Sequence, residues 1–170
     1  DRVGATFLEL GGKSALVVFD DVDVNAAVKT VMNGLLTNGG QICTAHSRLI
    51  VHKKIAPKLL PALKSALEKV EFATSPLEDV AALPGWDNMW SGKLQPVVSA
   101  GQFTKIKGFL ADAKAAGAKF LTGGDTPLPK GYYFSPTVIT DVGINDDVWQ
   151  KEVFGPVLVV VPFDDDDEAI

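Results

Sequence analysis

Cys43 is the only cysteine of the chain, and it stands in the run Thr37-Asn38-Gly39-Gly40-Gln41-Ile42-Cys43-Thr44-Ala45-His46-Ser47-Arg48. A thiol that can be deprotonated near neutral pH is a strong nucleophile. The two glycines ahead of it can take backbone conformations closed to other residues and let a ligand approach the main chain. The small polar residues after it suit the opening of a helix, whose free amide N–H groups would favour thiolate over thiol. The ordinary alternative is a free cysteine buried as a small hydrophobe. His46, three residues on, would come within reach of the thiol on a helical turn. No acid or amide in a recognisable context stands ready to orient it, which weighs against a cysteine hydrolase. His52, at the end of an apolar run, reads as a surface residue. Of the carboxylates, Glu9 precedes Gly11-Gly12 and, taken alone, reads as solvent-facing.

These residues must be held by alternating strands and helices. Residues 5–10 form a short apolar run that ends in two glycines, the pattern of a strand entering a tight turn. Residues 14–19 are a valine-rich run expected to be a strand covered on both faces. Asp20-Asp21-Val22-Asp23 supplies an N-cap and first-turn acids for a helix over 24–36, with apolar positions 27, 28, 31, 32 and 35. A strand at 48–52 leads to a helix over 55–70, in which Pro57 is tolerable and Pro61 is expected to introduce a bend. The segment 72–98 is rich in helix and strand breakers and carries Trp86 and Trp90, so it reads as an atypical long loop. Beyond it come a helix over 102–116 stopped by Gly117, a strand at 119–122, and an extended stretch at 132–140. A short helix over 145–153 carries Trp149, and a buried strand follows at 156–163. The acidic run 164–167 reads as a solvated helix start, because nothing spaces it as a calcium loop. The whole predicts an α/β fold, an open sheet with helices on its faces.

Composition bounds what such a chain does. With 170 residues, 46% of them hydrophobic, it can bury one sizeable core, and 22% charged residues is ordinary for a globular domain. A net charge of -5 and a pI near 4.9 leave no basic footprint for nucleic acid. No apolar run reaches the roughly 18 to 20 residues that span a bilayer, so no membrane partner is expected. One cysteine excludes an internal disulfide and a cysteine-rich zinc site, and it fits a reducing, by default cytoplasmic, compartment. Residues 1–4 contain neither an initiator methionine nor a signal segment, so the chain is expected to begin in mid-sequence.

Three segments together resemble a known family. Glu9-Leu10-Gly11-Gly12-Lys13, Gly40-Gln41-Ile42-Cys43 and Glu152-Val153-Phe154-Gly155-Pro156 are similar, in order, to the signature segments of the aldehyde dehydrogenase superfamily. Apart from the segment around Trp86 and Trp90, the resemblance extends along almost the whole chain. It implies an α/β aldehyde-dehydrogenase-like catalytic domain with an open α/β/α sheet, incomplete at both ends. Residues 1–12 would end the coenzyme-binding domain, and residues 13–170 would belong to the catalytic domain. The implied reaction is NAD- or NADP-dependent oxidation of a small aldehyde to a carboxylic acid through a cysteine thiohemiacetal and thioester. Cys43 matches the nucleophile, and Glu9, 34 residues upstream, matches the base that activates the hydrolytic water. Such a base would need to be partly desolvated. Glu152 matches the ligand of the nicotinamide ribose, Phe154 the aromatic beside the nicotinamide, and Leu10 a further cofactor contact. The Cys43 N–H would supply half of an oxyanion hole. A full-length form would be a homodimer or homotetramer. Asp20-Asp21-Val22-Asp23 and Gln41-Ile42-Cys43 look like the betaine-aldehyde and aminoaldehyde branch. His46 departs from the small residue usual in the family and would crowd a helix after the nucleophile. A truncated, inactive chain of the same family is the alternative.

Overall fold

The computed structural model describes residues 4–74 and 92–169. Five strands form one sheet: β1 (Ser14–Val18), β2 (His46–His52), β5 (Lys119–Thr122), β6 (Thr137–Thr140) and β7 (Val157–Phe163). Their order is β1-β2-β7-β6-β5. β1, β2, β7 and β6 run parallel, and β5 joins β6 antiparallel at one edge. Parallel neighbours need crossovers, and the helices supply them. α1 (Val24–Leu36) links β1 to β2, while α2 (Ala56–Leu67) and α3 (Ala100–Ala115) lie between β2 and β5 in the chain. α4 (Asp147–Gln150) precedes β7, and α5 (Asp166–Ala169) follows it. The short strands β3 (Glu71–Phe72) and β4 (Lys93–Leu94) pair with each other in parallel, outside the main sheet.

Two cores occupy the two faces of the sheet. On one face Ala27, Val31 and Leu35 of α1 and Leu59, Leu63 and Leu67 of α2 pack on Val18, Leu49, Val51, Leu158 and Val160. On the other, Ile106, Leu110 and Ala113 of α3 and Val148 of α4 cover Ile139, Val157 and Val159. This second layer stops short of β1. Val17 is 37% and Phe19 40% exposed, and Ala15 is exposed as well. Residues 14–18 of the expected 14–19 are thus a strand, but among the described residues it is an edge strand covered on a single face, the one against which α1 packs.

The capping and stop signals are met, although α1 carries no acid in its first turn, the acids lying ahead of it. Asp23 caps α1, accepting the Ala26 N–H at 2.9 Å, and Ser99 caps α3, accepting that of Gln102 at 3.2 Å. Gly117 (φ 91°) follows α3 in the left-handed conformation that ends helices. α2 runs through Pro61 without interruption. Other expectations fail for local reasons. Residues 5–10 form no strand, since no strand of this sheet lies beside them and their side chains are exposed. The helix foreseen over 145–153 is a single turn. Most of the atypical 72–98 segment, including Trp86 and Trp90, falls outside the described residues; its two ends are β3 and β4. His52 is buried, not on the surface. Its ring meets Phe163 edge-on at 5.1 Å, and its Nδ1 accepts the Lys54 N–H at 3.1 Å.

Candidate active site

β1, β2 and β7 are neighbours and parallel, so the segments that enter them arrive at one rim of the sheet. Gly12 lies two residues before β1, Cys43 three before β2, and Phe154 three before β7. Strand order therefore gathers three stretches that are far apart in sequence. Their backbones are in close contact. A Cβ on Gly12 would sit 2.5 Å from the carbonyl oxygen of Cys43, and one on Gly40 would run into the carbonyl of Gly155. The Gly12 N–H donates to Glu152 Oε1 at 3.2 Å, joining the first segment to the third.

Cys43 is exposed. No helix begins after it. The Ala45 N–H donates to the Ile42 carbonyl at 3.0 Å, closing a tight turn, and the chain then enters β2. Stabilisation of a thiolate by a helix start at residue 44 is therefore corrected: the β-branched and apolar residues 49–51 commit this stretch to the sheet. Gly39 (φ 63°) and Gly40 (φ 72°) take left-handed conformations as their composition implied. At Gly40 it is the Gly155 backbone that approaches.

Glu9 is exposed, so the desolvation expected of a base is not provided by this chain's own fold. Leu10 is 72% exposed. Glu152 is half-buried, with Oε1 engaged by Gly12 and Oε2 beside Gly11. Phe154 is half-buried and left-handed (φ 57°). Asp20 to Asp23 lie at the opposite end of β1, where Asp20 meets Lys54 at 3.1 Å and Asp23 caps α1. The acids that resemble the betaine-aldehyde branch are thus at the far rim from Cys43.

His46 does not extend a catalytic helix. It opens β2 and packs on α1, where a Cβ on Gly34 would overlap its ring. Its register slips against β1: Ser14 pairs with His46 and Ala15 with Arg48. This irregularity turns His46 toward α1 and Arg48 toward the other face, where its guanidinium lies 5.2 Å from the centroid of Trp149. Lys13 is a residue that sequence reasoning passed over. Its Nζ is buried without a hydrogen-bond partner, as is Arg48 Nε. Burial, aided by the Arg48 charge and opposed by Glu152, pushes the Lys13 ammonium down to about 8. Its place directly after a double glycine was the available signal.

Among the described residues no group of three or more His, Cys, Asp or Glu could hold a metal ion, and no helix is long and apolar enough to cross a membrane.

An α/β sheet with a cysteine turn, a glycine pair and a carboxylate-bearing loop on one rim matches known proteins along its length. The model of the aldehyde dehydrogenase family matches residues 1–170, and the chain belongs to that family. Peroxisomal aminoaldehyde dehydrogenase 2 of Malus domestica is 46% identical over 165 residues, which is 96% of this chain and 30% of the relative. Chloroplastic betaine aldehyde dehydrogenase of Beta vulgaris is 41% identical over 165 residues, 96% of this chain and 31% of the relative. Betaine aldehyde dehydrogenase of Staphylococcus aureus, solved in complex with NAD+, is 34% identical with a TM-score of 0.80, covering 95% of this chain and 30% of that one. The chain thus spans about a third of the length of the relatives it matches.

Proposed function

We propose that this chain carries the thiol half of an NAD-dependent aldehyde dehydrogenase, which oxidises an aldehyde to a carboxylic acid. The observation that carries the reading is the meeting of the Gly12, Cys43 and Glu152 segments on one rim of the sheet. Cys43 is the nucleophile: its exposed Sγ adds to the aldehyde carbon, giving a tetrahedral thiohemiacetal. The Cys43 N–H helps to hold the oxyanion. NAD, when bound, accepts the hydride from that carbon, and the carbon is left as a thioester on Cys43. Glu9 takes a proton from the water that hydrolyses the thioester. Glu152, its Oε1 held by the Gly12 N–H, would take the ribose through Oε2, and Phe154 would pack its ring beside the nicotinamide. Leu10 lines the same approach. This geometry fits a dinucleotide, because a carboxylate anchored by one oxygen keeps the other oriented as an acceptor. NADP would be held in the same way at this end.

The domain boundary of the reading lies at residue 12. Residues 4–13 form neither helix nor strand, whereas the sheet starts at Ser14, which supports assigning 1–12 to the end of a coenzyme-binding domain and 13–170 to the catalytic domain. A substrate of the aminoaldehyde or betaine aldehyde type follows from the relatives, and assembly as a homodimer or homotetramer from the family.

The test is stage-specific. In the full-length protein Glu9→Gln should retain a burst of reduced cofactor equal to the number of sites while steady turnover falls by about 10²-fold or more. Cys43→Ala should abolish both. Loss of the burst in Glu9→Gln would remove Glu9 from the hydrolytic step.

A further inference from the structure

Phe154 takes a left-handed backbone conformation (φ 57°) without being glycine, in the loop that also carries Glu152. Bulky residues adopt this conformation only where the surroundings impose it. The side chain that meets this backbone is Gln102, in the first turn of α3. Its Nε2 donates to the carbonyl of Val153 at 2.8 Å and to that of Phe154 at 2.7 Å. A primary amide has two N–H groups, so both donors are spent on the carbonyls either side of the Phe154 Cα. One turn further along α3, Ile106 presses against Gly155, and the carbonyl of Gly155 lies against Gly40 in the cysteine segment. Ser99 fixes the start of the helix from which Gln102 projects.

We infer that Gln102 is a positioning residue, whose carboxamide holds the Phe154 backbone left-handed and so sets where the Phe154 ring and the Glu152 carboxylate stand relative to Cys43. This rests on the proposed dehydrogenase reading and deepens it. The Phe154 loop is the cofactor side of the site, and the Cys43 turn is the substrate side. A residue that acts only through the loop should govern hydride transfer and leave the thiol chemistry alone. A glutamine that merely satisfied two buried carbonyls would affect both or neither.

The experiment uses the full-length protein with Gln102→Met, which keeps length and loses both donors. Two reactions are followed. One is hydrolysis of p-nitrophenyl acetate without cofactor, which needs the thiol but no hydride transfer. The other is the burst of reduced cofactor, measured with an aldehyde carrying hydrogen or deuterium at the carbonyl carbon. The expected result is ester hydrolysis within about twofold of the parent, with the burst rate at least about tenfold slower and showing a primary isotope effect. In a Phe154→Gly background, where the left-handed backbone is intrinsically allowed, the same change should slow the burst far less. Equal loss of both reactions, an unchanged burst rate, or full additivity with Phe154→Gly would each overturn the inference. A parent protein that hydrolyses the ester but never yields a burst would sink the dehydrogenase reading itself, whatever the variants do.

Discussion

Lys13 sets up the sharpest electrostatic consequence among single residues. A lysine ordinarily holds its proton to about 10.5, and here burial, with Arg48 adding repulsion, lowers that to about 8. Between those two values the unfolded chain binds a proton that the folded chain has released, so this group makes folding more favourable as pH rises from 8 to 10.5. Below about 8 both states are charged, and the folded state bears the full cost of burying the ammonium. The difference is on the order of 3 kcal/mol, before discounting for the solvent that still reaches the side chain. Lys13→Met should therefore flatten the pH dependence of stability in that window. Urea midpoints at pH 7.5 and 10, for parent and variant, check this. Midpoints that change by the same amount in parent and variant over that interval would refute it. At the same scale, the exposed Cys43 stood out by type and context, whereas the turn that carries it did not. Residues 44–47 look like a helix start by composition, but the three apolar residues that follow belong to a strand in mid-sheet, and tertiary pairing overrides local preference.

At the scale of elements, the contact between α1 and the start of β2 explains why an unusual histidine is accommodated. Gly34 lies inside α1, where alanine would be better by about 1 kcal/mol in a helix with free space around it. The ring of His46 fills that space, so a methyl group there would overlap it. Gly34→Ala should thus destabilise the parent by about 1 to 3 kcal/mol, as overpacking does. In a His46→Ala background the same substitution should become neutral or stabilising. The four midpoints of this double-mutant cycle decide the matter, and a Gly34→Ala cost that is unchanged without His46 would show that the histidine is not the obstacle. This pairing was hidden in the sequence, since His46 was expected on a helix that does not form and a mid-helix glycine carries no sign of what approaches it. By contrast, α1 and α3 were readable because capping residue, apolar spacing and stop signal agree at Asp23, at Ser99 and at Gly117. Glu9 and residues 5–10 were misplaced in a strand because strand propensity says nothing about whether a neighbouring strand exists.

Over the whole molecule the sheet is covered unevenly. Among the described residues α1 and α2 shield one face from β1 to β6, while α3 and α4 cover the other as far as Arg48 of β2, which meets Trp149, and leave β1 bare. Ala15 and Val17 on an edge strand, and Phe19 directly after it, remain exposed, a combination that favours pairing with another chain. The 170-residue chain studied by itself should self-associate at micromolar to millimolar concentration, and Val17→Lys should shift sedimentation toward monomer. Because Val17 is partly in solvent already, the change should alter stability by no more than about 0.5 kcal/mol. Undiminished association of Val17→Lys would locate the sticky surface elsewhere. The fold class and the convergence of the three segments were foreseeable, the first from strand and helix alternation and the second through family resemblance. The one-sided cover of β1 was not, since a run of valines reads the same whether one face or both are buried.

The two rims of the sheet are built differently. Where the strands β1, β2 and β7 begin, main chains touch at Gly12, Gly40 and Gly155 with no room for an added methyl. Where the same strands end, the contacts are mixed: the buried His52 and Phe163 rings meet edge-on, the Lys53 N–H donates to the Phe163 carbonyl at 2.9 Å, and outside them Lys54 pairs with Asp20 and Lys53 with Asp164 in solvent. The exposed ion pairs are worth little and fade in salt. Those charges can therefore be exchanged at small cost, whereas the buried ring contact beneath them cannot. At the opposite rim a single inserted residue would push one of the three segments out of step with the other two, so there the spacing of the chain is fixed by main-chain contact.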